Sequence, residues 1–208
     1  MKKIMSLMLS AAMIIAMASL AMAADYSSST GETAGSSGFS GTPAVVSSSS
    51  VTQAVAAGSA VTVTENAVVT QNVVQSIATA TQPVTFTAPN YTATINPATI
   101  TAAQNISLGA LPANAGIESL FGKYFSNSFA SVQLAQQGSF GATVEFTIAP
   151  TNLGTLNTAN LQFFSYDLAT NSYTRVTTPY TVNPNGSLTF STTLGNTIII
   201  TDGPITAR

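Results

Sequence analysis

The side chains able to do acid–base chemistry near neutral pH are seven carboxylates: Asp25, Glu32, Glu65, Glu118, Glu145, Asp167 and Asp202. The 208-residue chain has no His, no Cys and no Trp. A Ser or Thr nucleophile needs a base to take its proton, and the imidazole that does so in triads is missing. Zinc sites built on thiolates or imidazoles are excluded on the same ground. No glycine-rich phosphate loop is present. Two carboxylates at a set separation can hydrolyse a glycosidic bond. Here Glu145 alternates outward on its strand pattern, Asp167 opens a loop and Asp202 ends a strand, so the spacing brings no two of them into one pocket. A carboxylate-based enzyme acting on polysaccharide is therefore the weakest reading, and a non-enzymatic protein without catalytic residues or cofactor is the expectation. Asp167 and Asn171 flank one loop and could offer calcium two oxygens. Both are also the ordinary residues of turns, so no metal is expected.

Aromatic rings are the second chemical resource, since exposed rings can cover sugar faces. Phe121, Tyr124, Phe125 and Phe129 cluster in FGKYFSNSF. Their spacing also fits one face of a helix, which would bury them as core. They stand as candidate ligand contacts with core packing as the competing and preferred reading. Lys123 lies among them and is the one Lys after the first three residues. A crosslink from it to an Asn beside a buried acid is conceivable, though a lone Lys is ordinarily exposed.

The elements that must hold these residues begin with a leader. Residues 1–23 read MKKIMSLMLSAAMIIAMASLAMA: a basic start, an apolar run and an Ala21-Met22-Ala23 cleavage site. That three-part pattern is a secretory signal peptide rather than an anchor. The mature chain is expected outside the cytoplasm, secreted or held non-covalently at the cell envelope. Lys2 and Lys3 leave with the leader, so Lys123, Arg175 and Arg208 face all seven carboxylates. Three scattered cations cannot neutralise a phosphate backbone or hold an anionic bilayer, so neither nucleic acid nor membrane is expected as a partner. Hydrophobic residues make up 45% of the sequence and charged residues 6%, the reverse of a disordered composition.

Residues 24–50 are rich in Ser and Gly and read as a flexible spacer. From residue 51 to 208 the pattern is that of one module. Val61–Thr64 alternates like a strand. Val69, Val73 and Ile77 recur every four residues and predict a short amphipathic helix from Glu65 to Ala80, with Thr64 as its cap and Glu65 at the positive end of the dipole. Val84–Thr87 and Tyr91–Ile95 flank Ala88-Pro89-Asn90 as a hairpin. Ile106–Leu108 is a further strand, 109–130 is less regular, and Gly138–Gly141 reads as a turn. Phe140, Ala142, Val144, Phe146 and Ile148 share one face of a strand. Leu161–Tyr166 and Tyr173–Val176 pair across a loop. Tyr180–Val182 and Leu188–Phe190 pair across Asn183-Pro184-Asn185-Gly186. The unbroken apolar run of Thr197–Thr201 marks a central, doubly covered strand. Many short strands with frequent turns predict a mainly β, immunoglobulin-like antiparallel sandwich.

The stretches VTFTAPNYTATINPATITAAQNISLG, GSFGATVEFTIAP, LQFFSYDLATNSYTRV and VNPNGSLTFSTTLGNTIIITD resemble a β-rich module of secreted and S-layer-associated surface proteins of clostridia and related Firmicutes. The resemblance covers roughly residues 60–203. It departs at the closing strand, where Leu194-Gly195-Asn196-Thr197 replaces the His-x-Ser start and no Tyr follows. The resemblance implies a non-catalytic structural module on the cell surface, with cell-wall or extracellular polysaccharide or other envelope proteins as partners. A carbohydrate-binding or adhesive module is the alternative.

Overall fold

The computed structural model describes Phe39, residues 42–112, 115–122 and 128–167, Thr170, and residues 172–203, apart from the side chains of Ala115, Ile117 and Asn152. The leader with its Ala21 and Ala23, the spacer up to residue 38, and Lys123, Tyr124, Phe125 and Asn171 lie outside the described residues. Among the described residues the fold is mainly β. Fourteen strands form sheets of three, five and six strands, with short helices and no closed barrel.

In the six-stranded sheet, β2 (Val61–Thr62), β4 (Val84–Thr87), β5 (Tyr91–Ile95), β9 (Ser139–Ile148), β12 (Tyr180–Val182) and β13 (Leu188–Leu194) stand in the order β12-β13-β9-β5-β4-β2. Two of the three expected hairpins lie in this sheet, β4 with β5 and β12 with β13, and the third, Gln162–Asp167 with Ser172–Val176, lies in the five-stranded sheet. In the β12–β13 hairpin, Gly186 takes a φ of 81° and donates to the Asn183 carbonyl at 2.8 Å. Asn185 keeps a negative φ, so the connection is a Pro-led turn followed by one left-handed glycine.

The five-stranded sheet holds β7 (Ala110–Pro112), β8 (Phe129–Leu134), β10 (Gln162–Asp167), β11 (Ser172–Val176) and β14 (Thr197–Thr201), in the order β11-β10-β14-β8-β7. As the apolar run predicts, β14 is central, antiparallel to both neighbours and buried along its whole length. Alternate residues from both sheets meet in one core. Phe86, Ile95, Phe146 and Phe190 come from the first sheet, and Val132, Phe163, Ile198 and Ile200 from the second.

A third sheet, β1 (Ala44–Val45), β3 (Ala67–Val69) and β6 (Ile106–Ser107), joins the same core with two helices, α1 (Ser48–Ala57) and α2 (Gln71–Ala78). Three expectations need correction here. The helix predicted from Glu65 begins only at Gln71, because Ala67–Val69 is taken into a strand between β1 and β6 and Glu65 sits in the turn before it. The Ser-rich run is helical from Ser48, with Ser47 accepting the Ser50 amide at 3.1 Å as its cap, since Val51 and Ala54 on one face bury in the core. The pairing is not antiparallel throughout, because β1 runs parallel to β3 and β2 parallel to β4.

The predicted Gly138–Gly141 turn is confined to its start. Ser139 already belongs to β9, and Gly141 lies within that strand at a φ of 66°. Its carbonyl accepts the Thr101 and Ala102 amides at 2.8 and 3.0 Å. A Cβ at Gly141 would overlap the Ala102 carbonyl, so the left-handed conformation and the close approach both require glycine.

Candidate functional site

Strand alternation gives the five-stranded sheet a second face, turned away from the main core. On β8 it presents Phe129, Ser131 and Gln133, and on β14 Thr201, Ile199 and Thr197, each directly opposite its partner in that order. On β10 the matching positions are Gln162, Phe164 and Tyr166. On β11, Tyr173 stands opposite Tyr166 and Arg175 opposite Phe164.

A short helix, α3 (Ala115–Phe121), lies against this face. Its Phe121 packs with Phe164, Tyr166 and Ile199 into a cluster separate from the main core. The ring meets Tyr166 edge-on at 4.9 Å and Phe129 edge-on at 6.3 Å. Edge-to-face pairs of this kind add to the area they bury. Phe121 is 1% exposed, so of the two readings for this aromatic segment it takes the core one. The ring is turned onto the sheet and has no face left for a sugar. Phe129 is half-buried beside it.

The polar residues of this face are buried as thoroughly as the aromatic ones. Ser131, Gln133, Thr197 and Thr201 are each at most 3% exposed. The Ser131 hydroxyl donates to Oε1 of Glu118, one helical turn before Phe121 on α3. Desolvation of the half-buried Glu118 pushes its carboxyl above the ordinary range, and the Ser131 bond pulls it partly back. The hydroxyls of Thr197 and Thr201 have no hydrogen-bond partner. Each such buried group costs about 1–3 kcal/mol, a cost that native folds usually avoid.

A second polar cluster lies at the β4–β5 hairpin. Asn90 Nδ2 donates to Glu65 Oε1 at 2.7 Å, and the Tyr91 hydroxyl donates to the Glu65 carbonyl at 3.4 Å. Glu65 Oε2 is shielded from water without a partner although the residue as a whole is only half-buried. Burial pushes the Glu65 carboxyl up, against two lowering bonds from Asn90. Burial and the Glu65 charge together push the Tyr91 hydroxyl well above its usual range.

The described carboxylates do not converge. Glu145 is exposed on β9, on the outer side of the six-stranded sheet, while Glu118 lies over the outer side of the other sheet. Asp202 accepts the Asn157 amide at 3.2 Å, and Asp167 ends β10 opposite Ser172. Among the described residues no three carboxylates group as a metal site would require. No described helix is long and apolar enough to cross a membrane.

Sequence reasoning singles out the aromatic segment and passes over the polar ladder beneath it. A usable signal was present, because a strand covered on both sides must bury Thr197 and Thr201 along with its Ile residues. No family model matches the chain, and no curated protein matches it in sequence.

Proposed function

We propose that the chain is an exported, non-enzymatic structural or interaction module of the cell envelope or extracellular matrix, built as an immunoglobulin-like β-sandwich. The observation that carries this reading is the use of the aromatic and polar side chains. Phe121, Phe164 and Tyr166 face inward as a second core, and Ser131, Gln133, Thr197 and Thr201 lie beneath them out of water. Such a face thickens and stiffens a sandwich. The alternation of hairpins between two sheets with one shared core supports the immunoglobulin-like assignment, and the leader pattern supports export.

N-terminal sequencing of the natural product tests the export claim. The reading expects an extracellular or envelope fraction whose chain begins at Ala24 or Asp25. A cytosolic chain that begins at Met1 would overturn it.

One observation favours an adhesive, carbohydrate-contacting role as the second reading. Tyr173 is 44% exposed on the edge strand β11, with Arg175 two residues along on the same face. A polysaccharide pull-down that retains the wild-type protein, and loses it on Tyr173→Ala with the fold intact, would replace the purely structural reading with this one.

A further inference from the structure

We propose that Thr197 and Gln133 join through their side chains as an intramolecular ester, tying β14 to β8. The two residues are direct cross-strand partners. Opposed residues of adjacent strands hold their Cβ atoms about 4.5–5.5 Å apart, within reach of a bond between a Thr hydroxyl and a Gln carboxamide carbon. Both side chains are out of water, at 1% and 3% exposure. The Thr197 hydroxyl has no hydrogen-bond partner to hold it back.

In the reaction, Oγ1 of Thr197 adds to Cδ of Gln133. The new C–O bond forms, the C–N bond breaks, and the amide nitrogen leaves as ammonia with the hydroxyl proton. No oxidant, reductant or co-reactant is needed. Ammonia that reaches bulk water is protonated, which draws the exchange forward, and burial keeps water from hydrolysing the product. The proton needs a carrier, because neither a neutral hydroxyl nor an amide ion is a good participant unaided. Glu118 is a carboxyl on this face, bonded to Ser131, the residue beside Gln133 on the same side of β8. It acts as the proton-carrying group. A second Thr–Gln pair, Thr201 with Gln162, stands on the same face. Gln162 is half-exposed, so this pair lacks the dry surroundings and serves as the internal control. The proposal is independent of where the protein works.

The sequence supplies a clean assay. Trypsin cuts after Lys123 and Arg175, which places Gln133 and Thr197 in different peptides, 124–175 and 176–208. Digestion of the full-length folded protein after denaturation should yield these two as one joined species, lighter than their sum by one ammonia. Brief treatment with neutral hydroxylamine, mild enough to leave the Asn185–Gly186 bond intact while opening an ester, should separate them into peptides of 124–175 and 176–208. Thr197→Val, nearly isosteric, should give two separate peptides of full mass. Thr201→Val should leave them joined. Glu118→Gln, which preserves a partner for Ser131, should leave most of the protein unjoined. Circular dichroism and a thermal melt confirm that each variant is folded. Two separate full-mass peptides from the wild-type protein would overturn the proposal, as would a joined species that survives Thr197→Val.

Discussion

Glu118 hangs over a sheet face that removes it from water, and that desolvation fixes the sign of its pH dependence. Its folded pKa is raised above the ordinary 4.5. The native state therefore holds this proton more tightly than the unfolded chain does. The resulting stabilisation is fully present below the ordinary value and is lost as pH rises through the folded value. Glu65 has the same sign and a similar cause. Urea midpoints measured from pH 4 to 7 should fall with rising pH. Glu118→Gln should flatten that slope, whatever offset the change puts on the whole curve. A wild-type midpoint that rises over this interval would show that other groups dominate. None of this was legible from residue type, because a lone Glu in a turn-rich region has the ordinary reading of a surface carboxylate. What raises it is the packing of α3 onto the five-stranded sheet, where Glu118 meets Ser131 of β8 and loses water.

Short elements depend on who supplies their end groups, and α2 shows how a neighbour can override a local signal. Thr70 occupies the N-cap position with an extended backbone, but its side chain makes no capping bond. Instead Asn105 Oδ1, far along the chain, accepts the Gln71 amide at 2.8 Å. Asn105→Ala should therefore cost about 1 kcal/mol, the usual worth of a lost cap, while Thr70→Ala should cost much less. Chemical denaturation of the two variants checks the order, and the reverse order would return the cap to Thr70. The same non-local influence explains the misplaced start of the helix. The period of Val69, Val73 and Ile77 is real, and Val73 and Ile77 do face the core. Val69 is also buried, but as the end of a strand paired with β6. Period-four spacing cannot distinguish a helix from a strand that turns into one. By contrast β9, β13 and β14 were legible because their patterns are long or unbroken, and each occupies an interior position in its sheet.

At the scale of the whole molecule, the main core is not confined to the two large sheets. Val46, Val51 and Ala54 belong to it together with Val73, Val74 and Ile77, so the segment before Val61 is a wall of the core rather than a lead-in. The sequence pattern already counts Val51 and Ala54 within the module from residue 51 and passes over only Val46 and the start of α1, since a run of Ser residues resembles a linker until it is placed on a helix. If the module began after the helix, a chain started at Ser59 would fold as well as one started at Phe39. The structure instead expects the shorter chain to expose the α2 side of the core and to lose the caps and strand pairing of β1 with β3. Uncovering three apolar side chains should cost several kcal/mol at about 1.5–3 kcal/mol for each larger one, a large share of an ordinary domain's stability. Parallel urea titrations of the two chains decide the matter. Coincident midpoints would mean that β1 and α1 are ornaments on a self-sufficient sandwich. A marked drop, or failure of the shorter chain to fold, would make them part of the module that any partner or crosslink must act upon.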